Sequence, residues 1–216
     1  MSAELLSLFT ASFVTFFVLI DSLGVAPVFA TLTAKGGAAY RRNMAVKSTV
    51  VATIIMFAFA FGGAWLMDAM HISIAAFRAA GGALLFLIAL DMVFEKRTER
   101  REHRAEEHLG SHSADPEPDD ISVFPIGIPM IAGPGSIATA MFYMSDADNW
   151  AEKGVILLAI GLNMLVTLGV FLLAGPLVRL LGASVAGAMT RIFGVILAAL
   201  SVQLLIDGIK GAFNLG

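Results

Sequence analysis

The stretch "PIGIPMIAGPGSIATAM", residues 125–141, places three prolines and a Gly-Pro-Gly inside a long apolar run. Proline removes a helix hydrogen bond and clashes with the preceding turn, and glycine costs backbone entropy. At membrane depth, irregular backbone survives only where it is buried in protein or lines a wet cavity. The stretch therefore predicts a broken helix at a functional cavity, although a kink made only for close helix packing is the alternative.

The composition indicates that these apolar runs cross a membrane. The chain has 216 residues, of which 58% are apolar and only 14% charged, and its mean hydropathy is +0.84. Soluble domains carry about 25% charged residues. We therefore predict an all-α polytopic membrane protein with six transmembrane helices. The predicted spans are residues 5–32, 46–67, 72–94, 121–144, 155–173 and 187–209.

The segment between the third and fourth spans is dense in both charges. It holds several prolines and few apolar residues, so we expect a solvated, mobile loop over residues 95–120. Most loop lysines and arginines follow the first, third and fifth spans, whereas Lys153 and Lys210 lie on the opposite side. The positive-inside rule then places this loop in the cytoplasm and both termini in the periplasm.

The two halves of the chain resemble each other. Residues 78–90, "RAAGGALLFLIAL", align with residues 191–203, "RIFGVILAALSVQ", and this alignment pairs Arg78 with Arg191. Each half holds three predicted helices, an odd number, so the second copy enters the membrane from the other side. The sequence thus predicts a 3+3 inverted repeat, with residues 1–94 as the first unit and 121–216 as the second.

The first span contains a counterpart to the opening stretch. Residues 20–33, "IDSLGVAPVFATLT", supply a carboxylate, a glycine and a proline at the matching place. Broken helices at a repeat interface hold substrates in secondary transporters, with helix N-termini binding anionic groups and freed carbonyls binding cations. The candidate substrate-binding residues are Asp21, Ser22, Gly24, Pro27, Gly133, Pro134, Gly135, Ser136 and Asn163, and the candidates for coupling or gating are Asp21, Arg78 and Arg191.

Each candidate also has a purely structural interpretation. Asp21 either carries a coupling proton or caps the half-helix that follows it. Arg78 and Arg191 either snorkel to the interfaces or pair with Asp21 or substrate. Asn163 binds either across helices or to substrate. The carboxylate of Asp91, near the end of the third span, is expected to be solvated.

The sequence offers little support for an enzyme or a metal protein. It has no cysteine and no HExxH, GxSxG or Walker motif, so we expect neither catalysis nor a cofactor. His103, His108 and His112 could bind a metal if their segment were helical, but a disordered polar tract is favoured.

The two quoted stretches resemble the paired signatures of the MarC family. The first is similar to Asp-Pro-x-Gly-x-x-Pro-x-Phe followed by Leu-Thr, and the second to Ile-Pro-x-x-Ala-Gly-Pro-Gly-Ser/Ala-Ile. Ser22 departs from the pattern, because the family commonly has proline there, which implies a gentler first break. The resemblance covers essentially the whole chain. It implies a bacterial inner-membrane protein related to transporters of small neutral amino acids such as alanine and glycine.

We therefore predict a secondary transporter of small neutral amino acids that holds its substrate at the two broken helices near the membrane midplane. Because no ATP-binding motif is present, we expect coupling to an ion gradient, with the proton as the expected ion. The expected partners are a neutral amino acid and the lipid bilayer, with no nucleic acid, and homo-oligomerisation stays open. The alternatives are a membrane scaffold or regulatory protein that transports nothing, and an exporter of a different small solute.

Overall fold

The computed structural model describes residues 3–94, 96, 99–101, 103 and 120–213. All regular secondary structure in these residues is helical. The helical segments, in chain order, are α1 (Ala3–Ile20), α2 (Ser22–Leu32), α3 (Ala38–Ala69), α4 (Ile74–Val93), α5 (Ser122–Ile131), α6 (Pro134–Asp146), α7 (Trp150–Leu172) and α8 (Ala174–Phe213).

The described helices are long and apolar enough to form the predicted spans. Five pass by length and composition, with α1 and α2 together making one span of 30 residues, and the bent pair α5 and α6 makes a sixth. The all-α membrane class is therefore confirmed. Many large apolar side chains point outward, among them Trp65, Ile192 and Val195, which are 60–73% exposed. In a bilayer these side chains face lipid.

The first span is interrupted at a single residue. Asp21 separates α1 from α2 and has left-handed backbone angles, φ 50° and ψ 52°. The backbone hydrogen bonds nevertheless continue across it, because its N–H donates to the Phe17 carbonyl at 3.1 Å and its carbonyl accepts from the Val25 N–H at 3.0 Å. The helix is thus disturbed locally without being separated into two distant halves.

The fourth span is broken far more severely. In α5 the backbone is extended at Phe124 and Ile128, and the peptide bonds that follow, to Pro125 and Pro129, are cis. Helix α6 then starts at Pro134 and bends by 60° from α5. Proline suits the first turn of α6, because its missing N–H would have no helical partner there.

Helices α4 and α8 pack closely through small residues. A Cβ on Gly82 would lie 2.6 Å from the backbone nitrogen of Leu205, and one on Gly208 would lie 2.4 Å from that of Ala79. Helix α8 bends at Gly182, whose φ of 73° favours glycine, so its membrane part begins near residue 185. In a membrane the hydrophobic effect does not drive helices together, because lipid is as apolar as the side chains. Small residues let the two backbones come close enough to pack through van der Waals contacts.

Candidate functional site

Asp21 lies at the centre of a buried polar cluster. Only 1% of the residue is exposed. Its carboxylate accepts from the Gly24 N–H at 3.2 Å, from the Thr190 hydroxyl at 3.2 Å and from Arg101 Nη1 at 2.9 Å. Asp21 therefore caps α2, and it also forms an ion pair that the sequence did not predict.

Arg101 belongs to the charged segment that follows α4, which was expected to be solvated. That expectation is wrong for this residue, since its side chain is only 4% exposed. Its Nη2 atom is buried and has no hydrogen-bond partner among the described residues. A buried carboxylate without a countercharge is costly, and the pair with Arg101 removes that cost. Nothing in the local sequence distinguishes Arg101 from its charged neighbours.

The guanidinium of Arg101 lines a cavity of about 230 Å³, which we call the inner cavity. It lies where α6 begins, and Asp91, Arg100 and Arg101 line it from the loop end of the bundle, the end where α4 stops and α5 starts. Its lining residues are Leu19, Ile88, Asp91, Arg100, Arg101, Pro129, Met130, Gly133, Pro134, Gly135 and Ser136. The four predicted residues of the second break, 133–136, all contribute to it.

The start of α6 presents free backbone donors to this cavity. Gly133 is the N-cap, is extended, and supplies no side chain to cap the helix. The first intrahelical bond runs from the Ile137 N–H to the Gly133 carbonyl, at 3.0 Å. The N–H groups of Gly135 and Ser136 precede that bond, so they have no partner within the helix and suit an anionic group.

Asp91 contributes the carboxylate of the inner cavity. It was expected to be solvated, but its side chain is only 23% exposed and it forms an ion pair with Arg100. Arg100 is 61% exposed, so solvent reaches this pair from the loop end. A carboxylate inside an otherwise apolar span was the sequence signal that could have identified it.

Other predicted site residues lie outside the inner cavity. Ser22, Gly24 and Pro27 are in α2, and a Cβ on Gly24 would lie 2.3 Å from Asp21 Oδ2, which leaves no room for a ligand. The Asn163 amide donates to the carbonyls of Phe13, at 3.1 Å, and Ala159, at 2.9 Å. Asn163 thus joins α7 to α1, which is the cross-helix alternative.

The two arginines predicted for coupling or gating also lie elsewhere. Arg78 forms an ion pair with Asp146, and its guanidinium carbon is 5.0 Å from the centre of the Phe142 ring. Arg191 is exposed and follows Thr190, the residue that binds Asp21. The cation that forms the ion pair with Asp21 in this conformation is Arg101.

No group of three or more metal-binding side chains occurs within the described part of the chain. His103 is described, whereas His108 and His112 lie outside the described residues, so the metal alternative for that tract stays a prediction.

A second ion pair lies at the loop end, near the start of α5. Lys47 Nζ donates to Asp120 Oδ2 at 2.8 Å, and the Ser122 N–H donates to the same carboxylate at 3.0 Å. These hydrogen bonds lower the pKa of Asp120 from 3.8 to about 2. The pair joins α3 to the start of the broken fourth span.

The spans and the buried ionic cluster define a polytopic helical membrane protein with a polar cavity at a helix break. The chain matches the family model of "MarC family integral membrane protein" over residues 6–213. It is 36% identical to a UPF0056 membrane protein of Methanocaldococcus jannaschii, over 96% of this chain and 98% of the relative. It is 32% identical to UPF0056 membrane protein YhcE of Escherichia coli, over 93% and 91%, and 32% identical to YvbG of Bacillus subtilis, over 93% of both.

This chain therefore belongs to the MarC family of integral membrane proteins. The relatives include bacterial and archaeal proteins, and their names state membrane location without a transported solute. No solved structure matches the chain. What the protein does must consequently be argued from the site.

Proposed function

We propose that this protein is a secondary transporter of small neutral amino acids, of the alanine and glycine class, and has no enzymatic activity. The observation that carries the proposal is Arg101, whose buried Nη2 has no hydrogen-bond partner in the described part of the chain and which lines the inner cavity. A buried arginine donor without a partner is costly, so it is expected to be used in a state that this structure does not contain.

The inner cavity suits a carboxylate on one side. Arg101 offers Nη2, while the N–H groups of Gly135 and Ser136 stand at the positive end of the α6 dipole. Arginine also binds carboxylates through a planar fork, which favours a defined orientation. The substrate carboxylate is therefore placed between Arg101 and the start of α6.

Asp91 supplies the complementary group for an ammonium. It lines the same cavity and pairs with Arg100, which is mostly exposed and is thus easily displaced. A zwitterion would meet a cation and helix N–H groups at one end and a carboxylate at the other. In this proposal the ammonium therefore lies beside Asp91 and not at freed carbonyls of the first break.

The size of the cavity favours a small substrate. Its volume of about 230 Å³ lies below the roughly 300–1,000 Å³ of pockets that hold drug-sized ligands. Glycines and prolines form much of the wall, and Leu19 and Ile88 close its apolar side. Alanine and glycine need no pocket for a long side chain.

Asp21 connects substrate binding to a proton. In this conformation Arg101 neutralises Asp21, while a bound substrate would add a second carboxylate beside the same guanidinium. The substrate carboxylate would compete with Asp21 for this guanidinium, and a proton carried with the substrate would balance the added negative charge. We propose that substrate and proton cross together for this reason.

The packing of the helices supports the inverted repeat as part of this proposal. In the predicted repeat, helices α1 to α4 correspond in order to helices α5 to α8. The contact of α1 with α7 therefore corresponds to the contact of α5 with α3, and both contacts are present. The same correspondence relates the contact of α2 with α8 to that of α6 with α4. We propose the predicted orientation as well, in a bacterial inner membrane, with the loop end in the cytoplasm.

The test is uptake of labelled alanine and glycine into proteoliposomes with an inward proton gradient, comparing the natural protein with Arg101→Lys. Lysine keeps a cation for Asp21 but lacks the second donor nitrogen of the fork. Losing a charge-assisted hydrogen bond of about 1.5–3 kcal/mol weakens apparent affinity by about tenfold to a hundredfold. Arg42→Lys, at an exposed position of α3, is the matched control and should retain full uptake.

Absence of gradient-driven uptake in folded natural protein would contradict the alanine and glycine assignment. A melting temperature that also stays unchanged with millimolar alanine would favour the scaffold alternative, because only a bound ligand raises it by mass action.

A further inference from the structure

Beyond the inner cavity, three apolar side chains converge on Gly135 of α6. A Cβ placed on Gly135 would lie 2.6 Å from Ile88 Cδ1, 3.3 Å from Leu85 Cδ2 and 3.5 Å from Leu19 Cδ2. Leu19 and Leu85 are each only 1% exposed, and Ile88 packs against the same cluster. We call Leu19, Leu85 and Ile88 the apolar barrier, because they close the inner cavity towards the far end of the bundle.

On the far side of this barrier lies a second, smaller cavity between α4 and α6. Its volume is about 10 Å³, which is roughly the space of one water molecule. It is lined by Phe77, Arg78, Gly81, Gly82, Leu85, Ala138, Thr139, Phe142 and Leu204. Leu85 therefore borders this cavity and also contacts Gly135 at the end of the inner one.

Two buried polar atoms at the second cavity lack partners. Thr139 Oγ1 and Arg78 Nε make no hydrogen bond within the described structure, although both are buried. Buried polar atoms are normally satisfied by protein, water or ligand. We call Thr139 and Arg78 the outer polar pair, because both line this cavity and each has a buried donor atom without a partner among the described residues.

The inner cavity and the outer polar pair follow one face of α6. Gly135 and Thr139 are four residues apart and therefore lie one above the other on the helix. Phe142 and Asp146 continue the same face towards the far end, where Phe142 lies under the Arg78 guanidinium and Asp146 pairs with it. Along this face of α6, the inner cavity comes first, the apolar barrier follows at Gly135, and the outer polar pair lies beyond it.

We propose that solute crosses the protein along the interface of α4 and α6, past the apolar barrier, to a second binding position at the outer polar pair. In this conformation the route is open to the inner cavity, closed at the barrier, and closed again by Arg78 against Asp146 and Phe142. Moving the three barrier side chains away from Gly135 joins the two cavities. The proposal rests on the proposed transport function for the solute, but the route itself can be tested without any substrate.

The chain contains no cysteine, so an engineered one is the sole reactive thiol. Single variants Ser136→Cys and Thr139→Cys are treated in sealed vesicles with a small anionic methanethiosulfonate, which needs a water-accessible thiolate. Ala140→Cys is the matched control, because Ala140 follows Thr139 on α6 but lies in the buried core, with no exposure. The reagent should modify Ser136→Cys from the loop side, and leave Thr139→Cys and Ala140→Cys nearly unmodified.

Adding Leu85→Ala, or Ile88→Ala as an independent second opening of the barrier, should raise the rate at Thr139→Cys severalfold from the loop side. The rate at Ala140→Cys should stay unchanged. Three results would each overturn the route. The first is a Ser136→Cys thiol that the reagent does not modify. The others are a labelling rate at Thr139→Cys that neither barrier variant changes, and a labelling rate at Ala140→Cys that rises as much as that at Thr139→Cys. Uptake without this labelling pattern would leave the transport proposal standing and remove the route. The labelling pattern without alanine or glycine uptake would keep the route and remove those substrates.

Discussion

The break at Asp21 is filled by the protein's own side chains, whereas the break at Gly133 and Pro134 is left open. At the first, the Asp21 carboxylate caps α2 and binds Thr190 and Arg101. At the second, no side chain caps α6, and a cavity of about 230 Å³ lies against the helix start. At the first break a carboxylate therefore binds a backbone N–H of the following helix, whereas at the second the first N–H groups of the helix have no side-chain cap and lie beside a cavity.

The difference gives each break its own part in the proposed site. The first break supplies a buried anion that holds Arg101 inside the protein, and the second supplies N–H groups and room for a ligand. Arg101 joins them, because it pairs with Asp21 and also lines the cavity. In the transport function proposed above, a zwitterion would need both breaks, because Arg101 is held at the first and the N–H groups lie at the second.

The largest expected effect follows from removing the cation of the filled break. Arg101→Leu leaves Asp21 buried without its ion partner, which should lower the free energy of unfolding by about 3–5 kcal/mol. Adding Asp21→Asn should restore much of the loss, since a neutral amide needs no counter-ion. Unfolding in detergent, followed by helical circular dichroism, measures both variants, with Arg42→Leu as the exposed control. Equal stabilities of Arg101→Leu and the control would contradict the ion pair's role.

Intermediate effects should separate the two breaks. Gly24→Ala places a methyl group 2.3 Å from Asp21 Oδ2 and 2.6 Å from Thr190 Oγ1, so it should destabilise by about 1–3 kcal/mol through overpacking.

Gly135→Ala, by contrast, lies at the second break and places its methyl group 2.6 Å from the flexible tip of Ile88, a side chain of the apolar barrier. Its stability should fall less than that of Gly24→Ala, while alanine uptake falls more. Melting temperature and uptake are compared on the same two preparations. If the two variants lost stability and alanine uptake in the same proportion, the distinction between a filled and an open break would be wrong.

The smallest expected effect concerns acid and the ion pair that fastens α3 to the start of the open break. The pKa of Asp120 falls from 3.8 unfolded to about 2 folded, so its stabilisation is present above pH 4 and is lost as pH falls towards 2. Both side chains are about half exposed, so the effect should stay under about 1 kcal/mol. The stability difference between natural protein and Asp120→Asn should shrink between pH 5 and pH 2. A difference that stays constant over this range would contradict the assignment.

Several features could be predicted because they depend on neighbouring residues. Apolar length predicted the spans, and the prolines and glycines of residues 125–141 predicted the severe fourth break, which the structure places at α5 and α6. The position of Asp21 within an apolar run marked it as a buried polar residue. The first break is mild, since hydrogen bonds continue across Asp21, whereas the prediction that Ser22 makes it gentler than in the family stays a prediction.

Other features depend on which distant residues meet. Asp21 binds a residue 80 positions away and another 169 positions away, and no local pattern identifies either. The interpretation of residues 95–120 as solvated was wrong for Arg101, because charge density describes a segment and says nothing of one side chain's partner. Asn163, predicted for the site, serves instead to join two helices.

The sequence by itself determined the membrane class, the spans and the places where helices must break, because hydropathy, proline and glycine act within a few residues. Only the tertiary structure decided which break is filled and which is open. That choice depends on the nearest countercharge, and for Asp21 a buried arginine from beyond α4 and a threonine from α8 provide it. A carboxylate withdrawn from water takes whichever cation the completed fold brings within reach, and that cation then lines the cavity.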